Sequence, residues 1–377
     1  MIEPMRDGYF RGSDRGRAVA MIKVIGVGGG GCNTVRRMMR ARQIPGVEYV
    51  VANTDVKSLD LVQGALSLQI GEHLTHGFGA GGDARVGQKA AEEGEFLLKR
   101  AVKDSEMVFI TVGMGGGTGT GAAPVVAEIA REAGALVVAV VTTPFSFEGR
   151  KRTEVATGGL DRLRTMVDNM IIIHNDKLLQ YSEHNASIGQ AFAMADDVVC
   201  EGIMSISSLV NVPGEINVDM ADVKNVMHIP GVTIMAIGQG AGQHPAMDAA
   251  EQAMNNPLVD VAMKGAKGLL ISFSGGPDLT LGEVNEAATL VSRECDPNCM
   301  FKFGLATLSE ELRAKSKVTL IATGIRPTNP AYATTGALGH TSAPAPTPAQ
   351  SAASSAGRWL SGLGKKLNEA AGGGGRR

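Results

Sequence analysis

The chain has 377 residues, enough for two domains with separate cores. A formal charge of −2 and a 44% hydrophobic content describe an ordinary globular protein, and so balanced a charge gives no support for non-specific binding to nucleic acid. No run of about 18 apolar residues occurs and residues 1–17 lack an apolar stretch, so neither a membrane span nor a secretory leader is expected, and the expected compartment is the cytoplasm.

Residues 1–20 are polar and aperiodic and read as a flexible lead-in. Residues 21–27 read as the first buried strand, running into Gly28, Gly29, Gly30, Gly31, Cys32 and Asn33. A helix over 34–42 follows, carrying Arg36, Arg37, Arg40 and Arg42. Gly26, Gly28 and Gly31 spell G-x-G-x-x-G between strand and helix, with Asp55 at the distance of a ribose contact. Taken alone, that is a signature of a dinucleotide-binding oxidoreductase. A second strand over 47–52 ends at Asn53, Thr54 and Asp55, where an Asx turn competes with a ligand role. A short strand over 66–70 precedes the glycine-rich loop 77–82. His73 and His76 stand there without acidic or cysteine partners and read as solvated. Helical periodicity over 85–102 points Val86, Ala90, Phe96, Leu97 and Ala101 inward.

The apolar strand 107–112 leads into the densest glycine run, with six glycines in the nine residues 113–121. Such a turn lets backbone N–H groups close on a phosphate, and the positive end of the helix expected over 125–130 faces the same anion. Thr118 and Thr120 offer hydroxyl donors there, and Pro124 suits a first helical turn. A strand over 135–141 follows, wholly apolar and so buried on both faces. It runs into a charged segment ending at Arg152, and one more strand covers 170–174. This alternation implies an α/β fold with a doubly wound parallel sheet and its ligand loops on the carboxyl edge. A long helix over 187–208 links it to strands at 232–237, 268–273 and 318–323, with helices over 245–255 and 281–294. Cys295 and Cys299 lack a second pair at zinc spacing, and with Cys32 and Cys200 they read as free thiols in a reducing compartment. No metal site is expected.

Two glycine-rich loops meeting at one sheet edge suit a nucleotide with several phosphates and argue against the dinucleotide reading, which needs one. No G-x-x-x-x-G-K-[ST] occurs and no lysine stands in the glycine loops, so the chain is not a P-loop NTPase. The run GGGTGTG, with its surroundings from Gly113 to Pro124, resembles the tubulin/FtsZ superfamily and within it the FtsZ family of filament-forming cell-division GTPases. The resemblance extends from about residue 21 to residue 324. It implies a GTP-binding domain (21–186), a central helix (187–212), a smaller α+β domain (213–326), a linker (327–357) and a tail peptide (358–377). It also implies GTP and GDP as substrate and product, with Mg2+ carried by the nucleotide. Phosphate-side contacts are implied for Gly29, Gly30, Gly31, Cys32, Asn33, Asn53, Asp55, Ala80, Gly81, Gly82, Gly115, Gly116, Gly117, Thr118, Gly119 and Arg152. Glu148 is implied as acceptor for the ribose hydroxyls. At the base, Phe192 is implied to stack on guanine, with packing as its competing explanation, and Asp197 to accept from guanine N1 and the exocyclic amine. Asp196 stands where the family commonly has Asn.

Asp219 and Asp222 lie three apart at a helix start, which without context is an acidic N-cap. The resemblance implies instead that they enter the nucleotide site of the next subunit and position the attacking water. Hydrolysis would then need a head-to-tail homopolymer, and a contact of that kind that does not close gives a filament. The family's tail docks on membrane-tethering division proteins at mid-cell. Here Trp359, Leu360, Leu363 and Leu367 share one helical side, and a protein partner, direct contact with lipid and no role at all stay open. Other readings of the whole are a superfamily relative serving cell shape or membrane organisation, the NAD-dependent oxidoreductase, and a non-catalytic nucleotide-binding scaffold.

Overall fold

The computed structural model describes residues 20–41, 44–178, 187–256 and 263–326. The lead-in, Arg42, the linker and the tail peptide lie outside them. Ten strands are formed among the described residues: β1 (Ile22–Val27), β2 (Val47–Asn53), β3 (Leu66–Gln69), β4 (Met107–Gly113), β5 (Leu136–Thr143), β6 (Asn169–His174), β7 (Val232–Ala241), β8 (Gly268–Gly275), β9 (Met300–Leu308) and β10 (Lys315–Ile325). The helices among them are α1 (Gly28–Ala41), α2 (Val56–Asp60), α3 (Glu72–Thr75), α4 (Ala84–Glu93), α5 (Glu95–Val102), α6 (Gly117–Glu132), α7 (Arg150–Arg164), α8 (Asn175–Leu178), α9 (Ile188–Asn211), α10 (Met220–Met227), α11 (Pro245–Met254) and α12 (Leu281–Ser292).

The strands make one sheet in the order β3-β2-β1-β4-β5-β6-β7-β10-β8-β9. The first six are parallel and doubly wound, as the strand–helix alternation implies. Strand β1 is buried along its whole length, its one charged residue, Lys23, donating to the Ala101 carbonyl at 2.8 Å and pairing with Glu48 at 3.1 Å. Ile22 and Val24 join the core beneath α1 and α9, with Val35, Met38, Val199 and Ile203, whereas Ile25 and Val27 join the core beneath α4, α5 and α6, with Ala90, Leu98, Ala123 and Val126. The second half is antiparallel around β10, which pairs β7 on one side and β8 on the other, and α11 and α12 cover a third core containing Ala249, Phe273, Ala287 and Val318. The halves meet through a single strand pair, Ile171 opposite Thr233. Helix α9, opened by a reciprocal Ser187–Gln190 cap, ties them further through the Lys317–Glu201 ion pair and a 3.1 Å Ser205–Thr319 hydroxyl contact.

The structure corrects several expectations. The helix over 85–102 is two helices divided at Gly94, and the break resets the helical phase. Leu98, Ala101 and Val102 turn inward, while Phe96 is 71% and Leu97 38% exposed, and Val86 is only half-buried. Helices α1 and α6 begin at Gly28 and Gly117, inside the glycine runs, so Pro124 sits in the interior of α6 rather than in its first turn. Strand β9 has no counterpart in the sequence reading, because Lys302 and the turn residues before it mask its apolar pattern.

Helix α6 lies so close to α4 that a Cβ on Gly121 would fall 1.8 Å from the carbonyl oxygen of Ala84, whereas one on Gly158 in α7 would meet nothing within 4 Å. Gly121→Ala is therefore expected to lower stability by at least about 2 kcal/mol, and Gly158→Ala to raise it by about 0.5 kcal/mol. Urea titration followed by circular dichroism measures both, and equal effects would contradict this packing.

Candidate functional site

The carboxyl end of β1 feeds directly into α1 and that of β4 leads into α6 through Met114, Gly115 and Gly116, and the two helix starts touch through their backbones. Gly28 adopts a φ of 70°, open to glycine at little cost, and a Cβ there would lie 2.7 Å from the amide nitrogen of Gly119. A Cβ on Gly30 would lie 3.0 Å from the nitrogen of Gly113. The loop before α4 closes the third side, where the Cβ position of Gly117 falls 2.9 Å from Ala80 Cβ. Helix α6 has Gly116 as its N-cap and no side-chain cap, so its first N–H groups stay available to an anion.

These elements enclose an open cleft lined by Gly29, Gly30, Asn53, Asp55, Ala80, Gly82, Gly116, Gly117, Thr118, Gly119 and Arg152 from the sequence candidates, together with Gly113 and Ser58. Asp55 spends its carboxylate on the start of α2, accepting from the Lys57 N–H at 3.1 Å and from Ser58 Oγ at 2.6 Å. Thr118 Oγ1 lies 2.6 Å from the buried Thr54 Oγ1, which fixes where the Thr118 hydroxyl stands. Thr120 works differently from the donor role expected of it. It is fully buried, and its hydroxyl accepts the Gly115 N–H at 2.8 Å, so it closes the turn instead of facing the cleft.

The remaining phosphate-side candidates stand behind or beside the lining. Gly31 is buried where a Cβ would fall 2.4 Å from the Thr111 carbonyl oxygen, a packing requirement of α1 against β4. Cys32 is 1% exposed and accepts a hydrogen bond from Asn53 Nδ2 at 3.8 Å, which places it as a support for Asn53. Asn33 is exposed on α1, and Gly81 is exposed at the tip of its loop. Gly115, with a φ of 97°, lets the backbone of Arg152 come within 2.7 Å of its Cβ position. Glu148, its side chain only 8% exposed, accepts from the Phe145 N–H at 2.8 Å and pairs with Arg152 at 3.0 Å. In this geometry it orients the one side-chain cation of the lining.

Farther along, Phe192 is 38% exposed and packs edge-to-face on Phe145, with ring centroids 5.1 Å apart, while Phe145 stacks on Phe147. Asp197 is held by Arg37, whose Nε donates at 2.9 Å, and Asp196 accepts from Thr34 Oγ1 at 2.7 Å. Burial pushes the Asp196 carboxyl above its ordinary range. Neither Phe192 nor Asp197 lines the cleft itself. Asn175, directly after β6, went unselected in the sequence reading. It is 3% exposed and its Oδ1 has no hydrogen-bond partner, so it is an acceptor waiting for a donor.

Asp219 and Asp222 are not brought to the cleft. Asp219 caps α10 by accepting the Asp222 N–H at 2.7 Å, and Asp222 pairs with Lys302 on β9 at 2.6 Å. Six strands (β4, β5, β6, β7, β10 and β8) lie between β1 and β9. At about 4.8 Å per strand, that separation is on the order of 30 Å. Among the described residues no group of three or more His, Cys, Asp or Glu is placed to hold a metal, and no helix is long and apolar enough to cross a membrane.

Comparison with known proteins gives two family matches: the Tubulin/FtsZ family GTPase domain over residues 21–183 and the FtsZ family C-terminal domain over residues 231–326. An FtsZ dimer from M. jannaschii is similar at 42% identity over 81% of this chain and 89% of its own, with a TM-score of 0.77. A point mutant of M. jannaschii FtsZ matches at 42% identity over 81% and 92%, with a TM-score of 0.78. CetZ2 from Haloferax volcanii, solved as a GTPγS-bound protofilament, shares 20% identity over 80% and 92% at a TM-score of 0.69, a likeness of fold.

The thiols give a test of the geometry. Burial raises the pKa of both Cys32 and Cys200 from 9.0 to about 12. The hydrogen bond with Cys299 instead lowers that of half-buried Cys295. Iodoacetamide at about pH 8 should therefore label Cys295 first and spare Cys32 and Cys200 until the chain unfolds, as peptide mass mapping would read. The unfolded chain loses these two protons near pH 9 and the folded chain keeps them. Their contribution to stability is thus full below pH 9 and declines as the pH rises toward 12. Replacing both by Ala should flatten that decline in urea midpoint.

Proposed function

The chain belongs to the FtsZ family of the tubulin/FtsZ GTPases, and we propose that it assembles head-to-tail into cytoplasmic filaments that form the division ring at mid-cell. The observation that carries this reading is the partition of the site. The phosphate cradle lies at the ends of β1 and β4, and the acids able to position a water lie beside β9, on the order of 30 Å away across the sheet. In a head-to-tail contact the Asp219–Asp222 loop of one subunit meets the cleft of the next. The 42% identity to an FtsZ solved as a dimer supports such a contact.

GTP would lie with its phosphates on the first turns of α1 and α6, receiving backbone N–H groups, the Thr118 hydroxyl and Arg152. Guanine would reach α9, where Phe192 offers an exposed ring and Asp197 a carboxylate that exchanges Arg37 for the base. Asn175, with its unpartnered acceptor, lies at the end of the neighbouring strand β6. Magnesium would neutralise phosphate charge. The lining fits an ion carried by the nucleotide, since Asp55 is its only carboxylate. Hydrolysis is then the in-line attack of a water, held by the neighbour's Asp219 and Asp222, on the γ-phosphorus. The bond to the β-phosphate oxygen breaks, releasing GDP and phosphate, and positioning and charge neutralisation supply most of the acceleration. We further propose that the tail peptide recruits membrane-tethering division proteins.

Turnover per subunit should show a threshold in protein concentration and then rise, and Asp222→Ala should bind GTP below the threshold yet lose turnover by at least about a hundredfold. A rate independent of concentration would mean a site complete within one chain. Asp197→Ala should narrow the preference for GTP over ATP by at least about tenfold in competition binding. Imaging of the tagged protein in dividing cells tests the ring, and a uniform distribution along the cell envelope would favour a role in cell shape instead.

A further inference from the structure

Asp222 is held from two sides. Its backbone N–H donates to Asp219 at 2.7 Å, and its Oδ1 lies 2.6 Å from the ammonium of Lys302. Lys302 is no neighbour in sequence. It comes from β9, and the same strand grips the acidic loop again where the Leu305 N–H donates to the Ile216 carbonyl at 2.9 Å. Between these contacts, Gly304 leaves room for the chain to pass, since a Cβ there would fall 3.0 Å from the Ile216 oxygen. The loop is thus preset on a strand, and its second acid carries a counter-charge inside one subunit.

We propose that Lys302 is a positioning residue for hydrolysis, one that fixes the Asp222 side chain and offsets the charge of the acid pair before a neighbour's polyphosphate arrives. The inference rests on the shared-site reading above. Two carboxylates brought close to a triphosphate repel it, and an ammonium bound to one of them halves the net charge of the pair from −2 to −1. A carboxylate tethered at one oxygen also has fewer rotamers to lose when its other oxygen orients a water. The side chains of Lys302 and Asp222 are 29% and 31% exposed, and a pair so accessible adds little to folding stability. Its removal should therefore report on chemistry.

The test uses the full chain with Lys302→Met, Lys302→Arg, Lys302→Ala and Asp222→Ala, comparing turnover above the assembly threshold, the threshold itself, and binding of a fluorescent GTP analogue below it. Lys302→Met should lower kcat by about tenfold, with the threshold and analogue affinity within about twofold of the parent. Lys302→Arg should restore most of the rate, and added ethylammonium should partly rescue Lys302→Ala but not Lys302→Met. Normal turnover in Lys302→Met beside an inactive Asp222→Ala would overturn the proposal and leave the shared site standing. A raised threshold with unchanged kcat would make Lys302 an assembly contact and also overturn it, as would equal slowing by Met and Arg with no rescue. Full turnover by Asp222→Ala would remove the shared-site reading itself, and this proposal with it.

Discussion

The candidate cleft depends on two helices meeting start to start at distances a single methyl group would abolish. The carbonyl and amide groups of Gly26, Gly31, Thr111, Gly113 and Gly119 lie where side chains would otherwise stand. What this approach achieves is a concentration of N–H groups, because the first turn of each helix leaves its donors unsatisfied and both turns open on the same space. The cost is backbone entropy, since glycine loses more freedom on folding than any other residue. Sheet burial on both faces offsets that cost, with β1, β4 and β5 each sending apolar side chains into the cores on either side.

The supporting contacts follow from the same constraint. Thr120 closes the turn at Gly115, Thr54 steadies Thr118, and Cys32 backs Asn53. Each is a small side chain buried almost completely behind the cleft. Glu148 plays a comparable part for Arg152, with one oxygen on the Phe145 N–H and the other on the guanidinium. The cleft is therefore backed by a shell of short polar side chains, and the ligand-facing surface is mostly backbone.

That division explains what could be read from the chain. Glycine runs between an apolar strand and a helix are local signals, so the parallel sheet and most of the cleft lining were legible without coordinates. The helix starts were placed too late because glycine is a poor helix former, and only the docking of α1 and α6 on the sheet makes Gly28–Gly31 and Gly117–Gly121 helical. Strand β9 was missed because its half-exposed face carries Lys302, and its identity is set by pairing with β8 from Gly268 opposite Met300 onward. The Arg37–Asp197 and Lys302–Asp222 contacts join residues whose pairing only the tertiary fold decides. The orphaned acceptor of Asn175 belongs to that class as well, since the burial of one Asn after a strand is set by the tertiary fold.

The make-up of the cleft also bears on why its chemistry would be completed from outside. Its lining holds one cation, Arg152, and one carboxylate, Asp55, whose two oxygens already cap α2 through Lys57 and Ser58. Backbone N–H groups stabilise an anion wherever it rests, but they cannot accept a hydrogen bond from a water and aim it at phosphorus. A surface built this way binds a polyphosphate without orienting a nucleophile. The acceptors fit for that task sit on a loop that β9, at the far end of the strand order, contacts through Lys302 and Leu305, and they do not line the cleft. On the proposed reading, each face is chemically incomplete in a complementary way. The rate of hydrolysis then reports how many such faces have met.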